Sequence, residues 1–298
     1  MIDTAPVMTK LENKSKELGV PLQQLLNLFC QEEFIRRVAT SQYRNQLILK
    51  GGFFLYTVSQ FTARPTVDAN YLLKNHSNTQ AEVEKMITSI IHNREVNDFV
   101  QLELRNIEII SESKNHHGIR ANLIGNIGET KTPFNIDFST GDVIVPSAMT
   151  RTLPVLLNDF EQPEILTYSL ESTIAEKIDA IIVMMELTGR VKDFYDIYYL
   201  AKTFNFDGRK LQEAVYETLT NRATPYERDS ILALNEFVQN KDIQQRWSLF
   251  CEKELRHDIE LDHVIQTIIT ILQPPFEAIV EEDEFFGQWD PKKQNYVS

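Results

Sequence analysis

Asp68 and Asn70 stand two residues apart in an apolar stretch that follows a glycine pair, Gly51-Gly52. On a strand, positions 68 and 70 face the same way, because strand side chains alternate. Two carboxylates so placed could hold a divalent metal against a triphosphate, since hard cations such as Mg²⁺ take oxygen ligands from one or two carboxylates plus phosphate oxygens. Asn70 occupies the place of the second carboxylate, and an uncharged amide is a much weaker ligand. A glycine pair alone merely makes a turn. Here it follows the apolar run Leu47-Ile48-Leu49 and opens a helix, the arrangement in which backbone N–H groups and a helix N-terminus hold phosphate. Lys50, just before the pair, reads as structural.

Four further residues could join this chemistry. Asp137 lies in Asn-Ile-Asp-Phe on a strand-like run. If it is buried beside Ile136 and Phe138, its charge needs a partner or a metal. In an antiparallel sheet it could sit beside Asp68, giving a cluster in which two metals align nucleophile and leaving pyrophosphate. The alternative is a strand aspartate facing water. Lys177 falls one helical turn after Thr173 and could reach a triphosphate. Asp193 and Asp196 are i, i+3 neighbours on a helix preceded by Arg190 and Lys192. An amphipathic helix with internal ion pairs explains that run as well as a binding site does, so spacing alone leaves both open.

With 298 residues, 42% hydrophobic and 24% charged, the chain can bury a substantial core in one large or two modest domains. A net charge of −13 argues against a protein that coats nucleic acid with a globally basic surface. Local basic groups remain: Arg36, Arg37 and Arg44 in one region, and Lys131, Lys177, Arg190 and Lys192 in another. The two cysteines, Cys30 and Cys251, lie in helical, amphipathic segments, with neither metal spacing nor a disulfide framework. No basic leader with an apolar core and no apolar run of membrane length is present, so a cytoplasmic protein is expected.

The positioning elements follow from periodicity. Helices are expected over 8–18 and 21–41, with Leu22, Leu25, Leu26 and Phe29 on one face. Strand, glycine turn, helix 53–61 and a second strand from Val67 to Leu73 come next, then a helix over 78–91. A strand over 100–111 shifts phase between Leu102/Leu104 and Ile107/Ile109, which predicts a bulge, and segments 119–127 and 133–138 continue the sheet as a meander turned at His116-His117-Gly118. Beyond Pro146 helical runs replace strand-like ones. The expected division is a nucleotide-handling domain over 1–164 and an all-helical domain over 165–298, with helices over 169–187, 190–204, 208–221, 226–238, 242–256 and 259–272 before Pro274-Pro275. The tail that begins at Glu281-Glu282-Asp283-Glu284 reads as solvated.

Together, Leu49-Lys50-Gly51-Gly52, Arg64-Pro65-Thr66-Val67-Asp68-Ala69-Asn70, Ala175-Glu176-Lys177 and Arg190-Val191-Lys192-Asp193-Phe194-Tyr195-Asp196 resemble the AbiEii family of toxin nucleotidyltransferases, over about residues 47–200. The resemblance implies an α+β fold: a DNA-polymerase-β-like lobe with a mixed or antiparallel sheet, then a helical lobe. It implies a toxin of a bacterial toxin–antitoxin and phage-defence system, with a separately encoded antitoxin, moving a nucleotide from an NTP to an RNA acceptor such as a tRNA 3′ end. Asp68, Asn70 and Asp137 would then hold Mg²⁺, with Asp137 also activating the acceptor hydroxyl. Gly51 and Gly52 would admit the phosphates, and Lys177 would neutralise triphosphate charge. Arg190, Lys192 and Asp193 would shape the nucleotide site or position Lys177, while Asp196 orients a neighbouring basic group. Asn70 departs from the family pattern and predicts a folded protein with strongly reduced transfer. Two other readings stay open: a non-catalytic module that captures NTP or a partner, and transfer of a nucleoside monophosphate to a protein hydroxyl. A kinase-like phosphotransferase would need catalytic-loop and metal motifs that this sequence lacks.

Overall fold

A computed structural model describes residues 4–66, 68–74, 79–93, 99–113, 116–184, 190–255 and 257–297, with only the backbone of residues 68, 111–113 and 116–117. Val67, Asn78, Leu187 and Gly189, which the sequence places in motifs or at element ends, lie outside the described residues. The chain forms two compact units. One comprises residues up to 142 and 148–168, the other 143–147 and 169 onward.

The first unit begins with α1 (Ala5–Leu18) and α2 (Leu22–Thr40), continues through β1 (Leu47–Lys50), α3 (Gly51–Val58), β2 (Asp68–Leu73) and α4 (Gln80–Ile91), and then forms a meander of β3 (Gln101–Ser113), β4 (His116–Ile127) and β5 (Thr130–Ser139). Two short strands, β6 (Met149–Thr152) and β7 (Glu164–Thr167), complete a seven-stranded mixed sheet in the order β3-β4-β5-β2-β1-β7-β6. β2 runs parallel to β5 and β1 parallel to β7, while the remaining neighbours are antiparallel. The sequence expected no strands beyond Pro146. β6 and β7 correct that: each is four residues long, too short to show a period, and is fixed by pairing rather than by pattern.

The predicted bulge is present, as a register shift between Leu104 and Asn106. His116 to Gly118, expected at the hairpin tip, are strand residues paired with Ser113, Ser111 and Ile110, and residues 114–115 lie outside the described residues.

Strict alternation divides the two faces of β5: Phe134, Ile136 and Phe138 are buried, whereas Asn135, Asp137 and Ser139 face the other way. On the buried face Tyr71 stacks on Phe138 and meets Phe34 of α2 edge-on, both at 5.9 Å between ring centroids. α2 is buried well beyond its expected apolar stripe. Glu32, Glu33, Arg36 and Arg37 are all buried, so Arg36 and Arg37 are not a surface basic patch. Arg36 donates to Glu32 at 2.5 Å and to Glu33 at 3.0 Å, and Arg37 donates to Glu33 at 3.0 Å and to the Val100 carbonyl at 2.5 Å. Glu32 also accepts from the Leu156 N–H at 2.8 Å, yet burial still pushes its carboxyl up, with the Arg36 cation opposing. Arg44, by contrast, is exposed.

The second unit contains α5 (Leu170–Met184), α6 (Val191–Thr203), α7 (Gly208–Arg222), α8 (Asn235–Gln239), α9 (Lys241–Phe250) and α10 (Leu261–Val280). Ser169 caps α5, accepting from the Ser172 N–H at 3.0 Å and donating to the Val145 carbonyl at 2.5 Å. That bond, with Val145 N–H to Ser172 Oγ at 2.8 Å, ties segment 143–147 to this unit. Three details differ from expectation. The 226–238 helix reduces to a 3₁₀ turn at 232–234 and the single-turn-plus α8. α10 runs through Pro274-Pro275 to Val280. The tail is solvated over 281–284 but then forms β9 (Gln288–Asp290) and β10 (Asn295–Val297), which join β8 (Phe206–Asp207) in a small sheet, so this unit is helical with a three-stranded addition. Trp289 holds the addition in place: it is fully buried, and its indole N–H donates to the Ala201 carbonyl at 2.7 Å.

Both cysteines are free and buried, and burial pushes the Cys30 thiol up to about 12. Cys30 on α2 sits against Gly125 of β4, where a Cβ would fall 2.2 Å from its Sγ and 3.0 Å from its Cβ. Gly125→Ala is therefore expected to destabilise the protein by about 1–3 kcal/mol through overpacking. Adding Cys30→Ala should recover part of the loss, as read from denaturant midpoints of the single and double variants.

Candidate active site

β1 delivers Lys50 and then Gly51-Gly52, where the chain turns into α3. Gly51 has φ +72°, a left-handed conformation that side-chain-bearing residues rarely adopt, and a Cβ there would lie 2.6 Å from Asn70 Nδ2. A Cβ on Gly52 would lie 2.8 Å from Thr66 Oγ1. Gly51 is thus required both by backbone geometry and by the closeness of Asn70, and Gly52 by the closeness of Thr66. Lys50 is held by Asp142 at 2.6 Å and lies over the Tyr168 ring at 5.1 Å, in keeping with a structural role.

Strand register assembles the rest of this group. Lys50 pairs with Asn70 across β1 and β2, and Asn70 pairs with Asp137 across β2 and β5. Because β2 and β5 are parallel, not antiparallel, Asp137 stands opposite Asn70, and Asp68 pairs with Asn135. Asn70 and Asp137 share a sheet face, since paired residues point the same way. Asp137 is not buried between Ile136 and Phe138; it faces away from both. Its charge is met by Arg120 of β4, whose Nε and Nη2 donate to its two carboxylate oxygens at 2.7 and 2.8 Å. The sequence reading missed Arg120. The signal was present in the alternation of Ile119, Arg120 and Ala121, but locating it opposite Asp137 requires the β4–β5 register.

Asn70 and Asp137 place an amide oxygen and a carboxylate on adjacent strands, hard donors of the kind a divalent cation takes. Among the described residues no group of three or more His, Cys, Asp or Glu side chains is placed to hold a metal, and the Asp68 side chain lies outside them.

The second unit holds the other sequence-predicted residues. Lys177 of α5 is bracketed by two carboxylates of α6, donating to Asp193 at 2.7 Å and to Asp196 at 2.6 Å. Arg190 at the start of α6 donates to the other Asp193 oxygen at 2.8 Å. Asp193 and Asp196 are 2% and 3% exposed, and the Lys177 cation is a counter-charge they share, joined at Asp193 by Arg190. Spacing left open an internally paired α6, and the geometry shows both arrangements: Arg190 pairs within the helix, whereas Asp196 reaches across to α5. Lys192 is exposed on α6. The neighbouring residues on α5 are also fixed: Arg222 of α7 pairs with Glu176 at 3.0 Å and Asp179 at 2.9 Å, and Thr224 donates to Asp179 at 2.5 Å.

The mixed α+β fold is similar to nucleotidyltransferase toxin folds. The chain belongs to the AbiEii family, described as nucleotidyl transferase AbiEii toxins of type IV toxin–antitoxin systems, which matches residues 33–282. The fold is similar to that of MenT4, a nucleotidyltransferase toxin from Mycobacterium tuberculosis, at a TM-score of 0.55 and 11% identity over 99% of this chain and 93% of that one. It is also similar to JHP933 from Helicobacter pylori, at a TM-score of 0.50 and 14% identity over 87% of this chain and 94% of that one. No curated protein matches the sequence. Among the described residues no helix is long and apolar enough to cross a membrane.

Lys177→Met should cost about 3–5 kcal/mol of stability, because it removes the cation that two buried carboxylates share. Combining it with Asp193→Asn and Asp196→Asn should recover much of that loss in urea unfolding. A single variant as stable as the parent protein would show that the bracket carries no structural charge balance.

Proposed function

We propose that this chain is an Mg²⁺-dependent nucleotidyltransferase toxin that transfers a nucleotide from an NTP to an RNA acceptor, a tRNA 3′ end, and that Asn70 leaves this form impaired. The observation that carries the reading is the register that sets Asn70 against Asp137 beside the Gly51 turn, in a member of a nucleotidyltransferase family. Asp68, Asn70 and Asp137 would hold Mg²⁺, which when bound would offset triphosphate charge and help release pyrophosphate. The Cβ-free backbone of Gly51 and Gly52 would let the phosphates approach, and Asp137 would accept the proton of the acceptor hydroxyl. Lys177 is assigned to triphosphate charge, with Asp193 and Asp196 holding its ammonium and Arg190 steadying Asp193. At a net charge of −13, contact with RNA would rest on local cations such as exposed Arg190 and Lys192. The antitoxin that the family implies would be a separate chain. Bacterial phage defence and a cytoplasmic location belong to the same proposal.

Asn70 and the Arg120–Asp137 pair favour one second reading, a scaffold that binds nucleotide without turnover. Restoring the carboxylate separates the two. Asn70→Asp should raise incorporation of labelled nucleotide into RNA by at least about tenfold, the scale of a lost contact at a metal centre. Sequencing of RNA 3′ ends would identify the acceptor, and labelled protein in place of RNA would identify a hydroxyl side chain instead. If Asn70→Asp neither binds NTP in Mg²⁺ nor labels any acceptor, the enzymatic reading is wrong. Equal inactivity with nucleotide binding retained in both forms would favour the scaffold.

A further inference from the structure

On the face that carries Asp137, one row crosses the sheet in register: Lys50, Asn70, Asp137, Arg120 and Glu108. Both Asp137 oxygens are taken by the Arg120 fork, at 2.7 and 2.8 Å. A divalent cation coming to Asp137 alone must displace a bidentate, charge-assisted pair and settle beside a guanidinium. Asn70 opposite adds no negative charge to favour that exchange. A triphosphate changes the balance, because a guanidinium fork fits phosphate as well as carboxylate. The Arg120 side chain is 34% exposed, against 18% for Asp137, so the arginine is the partner more open to an arriving anion.

We propose that Arg120 is a positioning residue that keeps Asp137 out of metal coordination until a nucleoside triphosphate arrives. The guanidinium then passes from carboxylate to phosphate, and the carboxylate passes to the cation the nucleotide carries. No covalent bond changes; two ion pairs exchange partners. Metal capture by Asp137 is thereby made conditional on nucleotide. The proposal rests on the nucleotidyl-transfer reading above and adds a residue to it.

The test is Mn²⁺ binding by the nucleotide-free full chain, followed by electron paramagnetic resonance. Arg120→Gln is expected to bind Mn²⁺ at least about tenfold more tightly than the parent protein, since it removes a cation beside the ligand. In an Asp137→Asn background the same substitution should give no gain. A merely structural Arg120 would shift melting temperature without that Asp137-dependent gain. Should Arg120→Gln fail to fold, Arg120→Lys, which cannot grip both oxygens, should give a smaller rise. Unchanged or weaker Mn²⁺ binding in a folded Arg120 variant overturns the proposal, and nucleotide transfer by Asn70→Asp would in that case leave the enzymatic reading standing. An Asp137-dependent gain upholds the ion-pair control of metal binding, and the transfer assay then judges the enzymatic reading separately.

Discussion

Everything in the first unit turns on a single alignment, the parallel register of β2 on β5. Strand side chains alternate with a period of two, so a one-residue slip would send Asp137 and Asn70 to opposite faces and drive Ile136 and Phe138 into water. The burial of Ile136, Phe138 and Tyr71 against α2 makes such a slip costly. The polar row is therefore placed by the hydrophobic face behind it. The glycines at 51 and 52 add the second requirement, a close backbone approach to Thr66 and Asn70 that any Cβ would block.

Both units use the same electrostatic device, in which positive side chains are fixed by carboxylates before any ligand is considered. In α2, Arg36 and Arg37 are enclosed by Glu32, Glu33 and backbone carbonyls; in the second unit Lys177 is enclosed by Asp193 and Asp196. The first is architecture. Its removal would leave uncompensated charge in a core, and nothing in it faces solvent. Lys177 differs in being 11% exposed: the bracket fixes its position and leaves part of its surface open. The chain's overall acidity therefore coexists with individually placed cations.

The sequence made the long, periodic features legible. The meander, its bulge, the strand–glycine–helix unit and the helices α2, α5 and α7 were all visible, as were the family motifs. What it concealed depends on partners distant in the chain. β6 and β7 are too short for a pattern, and β9 and β10 exist because Trp289 finds a burial site beside α6. Arg36 and Arg37 look like surface charges until Glu32 and Glu33 are seen to share their helix face and to be enclosed with them. In the candidate site, Asp137 was recognised but its neighbour was not, because Arg120 is 17 residues away and only register brings the two together.

The placement of residues 143–147 bears on how such a protein can be divided or recombined. These five residues pack with the second unit through Val145, Ser169 and Ser172, although the chain on both sides of them belongs to the first. No single cut yields two complete folding modules. A fragment beginning at Ser169 would lack the segment that bonds the Ser169 and Ser172 hydroxyls, and one ending at Tyr168 would carry that segment without its partners. Exchanging one unit through a single junction would therefore break contacts within one of the two.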